Sequence, residues 1–206
     1  MNKNDITSRL SGRRQGIIDE HQMRHYAVFL PLIEKEDDIY VLFEVRAKHM
    51  KRQPGEICFP GGMVDRTDNS PAEAAVRELC EETGIRQNEA AITGSLDKII
   101  SPFRQIIFPY AGFLDPASSF QPNEEEVDKL FTVPLSFFIE TKPDRHLIHL
   151  QVEPEAGFPF ESIPNGKRYA WSAGTHHEYF YYYGSYVIWG LTARIMKHFV
   201  DETASP

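Results

Sequence analysis

The chain has 206 residues, enough for one well-buried domain and marginal for two. A net charge of −8 argues against generic binding to a nucleic-acid backbone, which depends on Lys and Arg neutralising phosphates. With 41% hydrophobic and 25% charged residues and no run of about 18 apolar residues, the chain reads as an ordinary globular protein without a membrane span.

Residues 1–24 are polar with spaced apolar positions (Ile6, Leu10, Ile17, Ile18) and predict a short N-terminal helix. The opening residues lack the apolar core of a signal peptide. Residues 25–32 and 39–45 predict two strands joined by a charged turn over 34–38, hence a hairpin. Residues 47–56 form a polar, basic loop, and 57–59 a short strand before Pro60-Gly61-Gly62. Cys58 and Cys80 are the only cysteines, too far apart for a Cys-x-x-Cys motif. They are expected to be buried apolar side chains in a reduced, cytoplasmic protein.

The clearest helix follows. Ser70 suits the N-cap, Pro71 the first turn, and Glu73 a capping box. Ala72, Ala75, Val76 and Leu79 give an apolar stripe, and Gly84 is placed to end the helix in a left-handed conformation. Strands are expected over 90–96, 106–114 and 146–152, with a shorter extended piece at 131–135 leading to a helical turn near 136–139. Residues 154–167 read as a loop, and 179–183 as an aromatic strand or loop. A final helix is expected over 187–200, with Val187, Ile188, Leu191, Ile195 and Phe199 on one face. Strands interspersed with a few helices, with no repeat or linker, predict one α/β or α+β domain.

Glu78, Glu81 and Glu82 lie at i, i+3 and i+4, so all three carboxylates leave one side of that helix. Like charges at this spacing repel, and a hard divalent cation such as Mg²⁺ would offset the repulsion through its preference for oxygen ligands. Taken alone, three such acids are more often a solvated face.

The context of these acids decides between the two. The stretch from Gly62 to Ile85 resembles the box of the Nudix hydrolase family: Gly, five residues, Glu, seven residues, then Arg-Glu-apolar-x-Glu-Glu-x-Gly-apolar. Residues 77–85 match at every specified position. Asp68 stands in place of the first Glu, and eight residues rather than seven separate it from Arg77. Upstream, Leu42, Phe43, Glu44, Arg46, Ala47, Lys51, Gly55 and Phe59-Pro60-Gly61-Gly62 keep the spacing of a segment found in family members that cleave coenzyme A. There Phe43 and Glu44 replace Leu and Thr, and Lys51 replaces Arg. Residues 122–127, 133–135 and 188–195 are also similar to that subgroup, so the resemblance covers about residues 25–200.

The resemblance implies a Nudix-type α/β/α sandwich with a mixed sheet between helices: an N-terminal helical extension (1–24) and a single hydrolase domain (25–206). It implies Mg²⁺- or Mn²⁺-dependent cleavage of coenzyme A to 3′,5′-ADP and 4′-phosphopantetheine. Glu78 and Glu82, with Glu81 third, are the expected metal ligands. Arg77 would fix their rotamers. The general base is either one of the box glutamates or a carboxylate of the loop Glu124-Glu125-Glu126, among which Glu126 is favoured. Arg46, Lys51, Arg52, Gly55, Phe59, Gly61 and Gly62 are the expected substrate contacts. The tyrosine-rich run at 179–183 is either core or a wall for the adenine or pantetheine. The partner would be a small nucleotide rather than a nucleic acid or a membrane. Family members are often homodimers, and the residues themselves carry no sign of the assembly. Two other readings remain open: the same chemistry on ADP-ribose, NADH or a dinucleoside polyphosphate, and a nucleotide-sensing module without turnover.

Overall fold

The computed structural model describes residues 1–36 and 38–204, so Asp37 of the expected charged turn lies outside the described residues. The elements are α1 (Lys3–Leu10), β1 (Arg24–Lys35), β2 (Asp38–Arg46), β3 (Ile57–Cys58), β4 (Gly61–Met63), α2 (Pro71–Thr83), β5 (Ala90–Ser95), β6 (Ile99–Ser101), β7 (Gln105–Leu114), β8 (Val127–Pro134), α3 (Leu135–Glu140), β9 (Asp144–Leu150), β10 (Gly174–Tyr183), β11 (Tyr186–Trp189) and α4 (Gly190–Thr203). Among the described residues no helix is long and apolar enough to cross a membrane.

β1 is the spine. It pairs in parallel with β7 from Arg24–Gln105 to Ile33–Leu114 and antiparallel with β2 on its other side. Its side chains are buried on both faces. Ala27, Phe29 and Ile33 pack with Ala74, Ala75 and Leu79 of α2, whereas Leu30 and Leu32 join a core that includes Phe138 of α3 and Ala193, Ile195, Met196 and Phe199 of α4. A strand covered on both faces needs a nearly continuous apolar run, which is what residues 27–33 provide. The mixed sheet between helices is the expected α/β/α architecture. A separate three-stranded antiparallel sheet, β11-β10-β9, was not expected; it arises because the strand at 174–183 pairs with both of its neighbours.

The short pairing of β1 and β2 makes room for the Gly-Gly turn. The two strands stay together only from Leu32–Val41 to Lys35–Asp38. Beyond that point residues 57–63 wedge between them: β3 pairs with β2 at Glu44–Cys58 and Val45–Ile57, and β4 pairs with β1 at Tyr26–Met63 to Val28–Gly61. The turn is pinned by the Phe29 N–H, which donates to the Pro60 carbonyl at 2.9 Å. Gly61 and Gly62 are thereby carried over the C-terminal half of α2.

α2 has the expected ends, with one correction. The Ser70 hydroxyl accepts the Glu73 N–H at 3.2 Å, and Gly84 closes the helix at φ 75°. Glu73 does not complete a capping box, because its carboxylate takes the Asn69 backbone N–H and side-chain amide instead. The C-terminal helix also begins later than its apolar pattern suggests. Val187 and Ile188 are drawn into a hairpin opposite Tyr182 and Tyr181, and the helix starts at Gly190. Branched side chains suit the pleated pairing better than a helix start.

Candidate active site

α2 and the Gly-Gly turn interlock. Glu82, 3% exposed, accepts the Gly61 N–H at 2.8 Å. Gly62 lies so close to Glu78 that a Cβ there would sit 2.3 Å from the carboxyl carbon, so a larger residue would displace the Glu78 carboxylate. Arg77 ties the surrounding acids together. Its Nε and Nη2 bond both oxygens of Asp68 at 3.0 Å, Nη1 reaches Glu78 at 2.9 Å and Glu81 at 3.1 Å, and Nη2 also donates to the Met63 carbonyl. Asp68 therefore occupies a working place in the box despite the shorter side chain and shifted spacing. The extra residue is absorbed in the 64–70 loop, and the Asp68 side chain is nearly covered.

β2 buries a carboxylate, Glu44, that the sequence shows only as a departure from the resembled pattern. Glu44 lies on the face of β2 shared with Leu42, the face that packs on α2, while Phe43 and Val45 point into the opposite core. It is fully buried. Cys58, opposite it in the register, donates its S–H to Glu44 Oε1 at 3.1 Å. Cys58 is thus a hydrogen-bond donor rather than the inert apolar filler expected. Glu44 Oε2 has no hydrogen-bond partner among the described residues. A charged residue inside the apolar run 39–45 was the sequence signal for this site.

Glu126 is brought to the same place by the loop before β8. The Gln121 and Asn123 N–H groups cap the last carbonyls of α2 at Thr83 and Glu82, and Gly84 lies so close to Gln121 that a Cβ would meet its carbonyl at 2.2 Å. Burial pushes the Glu82 carboxyl up to about 9, reinforced chiefly by the charge of Glu44 and opposed by the Gly61 N–H. Burial likewise raises Glu44 to about 7, with the charges of Glu126 and Glu78 adding and the Cys58 bond and Arg46 opposing. Glu78 is raised by burial against the pull of Arg77, and burial pushes the Cys58 thiol up. Four mutually repelling carboxylates, all oxygen donors, fit a hard divalent cation, whose charge would reverse these shifts. The side chains are not already gathered as a cage: among the described residues no three His, Cys, Asp or Glu side chains could share one ion as placed. Glu78 and Glu81 are held by Arg77, and Glu82 by Gly61.

The expected substrate residues divide into two groups. Lys51, Arg52 and Gly55, with Lys48, are exposed on the loop between β2 and β3. This loop is stitched to the acidic one: the Ala47 N–H donates to the Glu126 carbonyl at 2.8 Å, and His49 Nε2 lies 3.0 Å from the Glu125 carbonyl. Arg46 lies partly buried at the strand end, its Nε without a hydrogen-bond partner among the described residues. Phe59 is 4% exposed and its ring stacks on Phe43 at 4.9 Å, which places it in the core. Tyr181 of the aromatic run is also core, whereas Phe180 stacks on Trp189 at the surface of the second sheet. A neighbouring open depression of about 630 Å³, lined by Arg24, His25, Met63, Asp65, Arg66 and Thr67 among others, contains none of the clustered carboxylates.

The NUDIX domain profile matches residues 23–155, well over half of the chain. The chain belongs to the NUDIX family. It is 36% identical over 114 residues to the mouse peroxisomal coenzyme A diphosphatase NUDT7, an alignment covering 55% of this chain and 48% of that protein. The chain thus spans about half the length of that relative. It is 31% identical over 179 residues to the Nudix hydrolase NudL of Photorhabdus laumondii, covering 87% of this chain and 84% of the other. Among solved structures, a MutT/nudix family protein from Enterococcus faecalis superposes with a TM-score of 0.50 at 15% identity, covering 98% of this chain and 70% of that one. That likeness concerns the fold alone.

Proposed function

We propose that this protein hydrolyses the pyrophosphate bond of coenzyme A or its acyl derivatives, releasing 3′,5′-ADP and 4′-phosphopantetheine or its acyl form. Mg²⁺ or Mn²⁺ is the cofactor. The observation that carries the reading is that Glu82 bonds the Gly61 N–H and Glu78 lies against Gly62, while the charges of Glu44 and Glu126 act on both, near a basic loop at 48–52 that is tied to the Glu126 backbone. The upstream segment shared with coenzyme A-cleaving members and the likeness to a coenzyme A diphosphatase support the substrate.

Glu78 and Glu82, with Glu81 at the rim, would hold the cation. When bound, the ion offsets the negative charge of the phosphates and lowers the pKa of water. The protein's own groups do the rest. Arg77 keeps the box carboxylates in fixed rotamers. Lys51 and Arg52 bind a substrate phosphate. Glu126 takes the proton as water oxygen bonds to phosphorus, and the bond from that phosphorus to the bridging oxygen breaks, leaving the second phosphate with the electron pair.

Residues 25–206 are treated as one catalytic domain and 1–24 as an extension, a division supported by the absence of any buried residue in α1. The free thiols of Cys58 and Cys80 suit a reducing compartment such as the cytoplasm. Incubation with coenzyme A and Mg²⁺ should yield 3′,5′-ADP by mass spectrometry; its absence would sink the substrate assignment. A second reading, cleavage of ADP-ribose or NADH, is favoured by Glu44 and Lys51 standing where the resembled segment has Thr and Arg. A competition panel of these substrates separates the two. No turnover of any of them would favour a nucleotide-sensing module.

A further inference from the structure

Glu44 is out of place by every ordinary rule. A carboxylate in the middle of a buried strand, with one oxygen unpartnered, is among the costliest placements a side chain can have. A structural role would call for both oxygens to be satisfied, yet only Oε1 has a partner, and that partner is a weak thiol donor. The charges of Glu126 and Glu78 act on it, it acts in turn on Glu82, and Arg46 at the end of the strand offsets them. The strand cannot swing Glu44 away, because β2 is paired on both sides there, to β3 through Cys58 and to β8 through Leu130.

From this placement we infer that Glu44 is an additional ligand for the divalent cation, donating Oε2 from β2 so that the ion is held between β2 and α2 rather than on α2 alone. The inference rests on the metal-dependent reading above but not on the choice of substrate. It gives the unpartnered oxygen a positive partner and joins carboxylates from two elements around one ion, as hard cations prefer. Cys58 then orients Glu44, its S–H holding Oε1 and leaving the buried Oε2 without a partner. Glu44 stands where the resembled segment has Thr, so it predicts tighter cation binding than a Thr-bearing site.

The test is Mn²⁺ binding to the full-length, substrate-free protein, followed by electron paramagnetic resonance and by thermal melting in EDTA and in excess Mn²⁺. Glu44→Gln should weaken Mn²⁺ affinity by at least about 10-fold. It should leave the protein as stable as the parent or more so in EDTA, because a buried acid is removed, while shrinking the stabilisation that Mn²⁺ confers. Glu44→Thr, the residue of the resembled segment, should behave likewise and serves if the Gln variant does not fold. Cys58→Ala should retain most of the Mn²⁺ affinity. Parental Mn²⁺ affinity in both Glu44 variants would overturn the inference, as would an equal loss of stability with and without Mn²⁺. Coenzyme A turnover is measured separately, so a failed substrate assignment leaves the Mn²⁺ result standing and a failed Mn²⁺ result leaves the substrate standing.

Discussion

Arg77 holds Asp68 with two parallel bonds, Nε to Oδ1 and Nη2 to Oδ2, each 3.0 Å long. The paired geometry fixes the guanidinium plane, and Nη1 is thereby aimed at Glu78 and Glu81. The Arg77 bonds hold the Asp68 carboxyl below its ordinary range, so the pair stays charged at all working pH values. Asp68→Asn should therefore lower kcat by about 10- to 100-fold through the loosened arginine, with little change in KM. Arg77→Lys should lose as much, because an ammonium cannot make the paired contact. Steady-state kinetics checks both, and a parental kcat in Asp68→Asn would remove Asp68 from the positioning of the box.

Glu82 should be the most sensitive of the acids. It is nearly inaccessible, bonded to the Gly61 N–H, and faces Glu44. Glu82→Gln keeps the shape and removes the charge, so kcat should fall by at least about 100-fold. Glu81→Gln should cost less, since Glu81 is largely exposed and already engaged by Arg77. Equal losses at the two positions would contradict this ordering.

The metal-free protein should become less stable as pH rises. Glu44 and Glu82 have folded values raised from 4.5 to about 7 and about 9, so in that interval the native state binds protons that the unfolded chain has released. Stability then falls with increasing pH, being fully present below about 4.5 and lost progressively up to about 9. Melting in EDTA at pH 5.5, 7 and 8.5 should show a declining midpoint, and Mg²⁺ should restore most at pH 8.5. A flat or rising midpoint in EDTA would mean that these carboxyls are not held protonated.

Much of this arrangement could be read from the chain because the signals were local. Ser70, Pro71 and Gly84 bound α2, and the spacing of Glu78, Glu81 and Glu82 fixed the side from which they project. What could not be read was long-range. Nothing local says that β1 and β2 part before Leu32 and after Val41, and that parting lets residues 61–63 form a strand of their own beside β1 and sets Glu44 against Cys58. Asp68 looked displaced because loop length was counted along the chain, whereas the contact to Arg77 forms across the loop. Val187 and Ile188 have helical spacing to Leu191 and Ile195, yet pairing with β10 takes them, a tertiary preference that overrides periodicity.

The basic loop should act on substrate binding rather than on chemistry. Lys51 and Arg52 are exposed, and the loop is tied to the 123–127 segment by the Ala47 and His49 contacts. A Lys51→Glu, Arg52→Glu double variant should raise KM for coenzyme A several-fold with kcat changed little. The penalty should shrink for 3′-dephospho-coenzyme A if the loop binds the 3′-phosphate. Arg66→Glu, in the neighbouring depression, is the control. A larger KM effect there would move the phosphate site to that side of β4.

Phe59 distinguishes a packing role from a binding role. Its ring stacks on Phe43, which in turn lies 5.6 Å from Phe131 and 5.8 Å from Phe138, so it forms one end of an aromatic column inside the α4-side core. Truncating a buried aromatic costs about 3–5 kcal/mol, so Phe59→Ala should lower the melting midpoint by many degrees. Phe59→Leu fills more of the space and should cost much less. If Phe59 only packs, the Leu variant keeps the parental KM at a temperature where it is fully folded. A raised KM in a folded, stable Leu variant would instead return Phe59 to the substrate contacts.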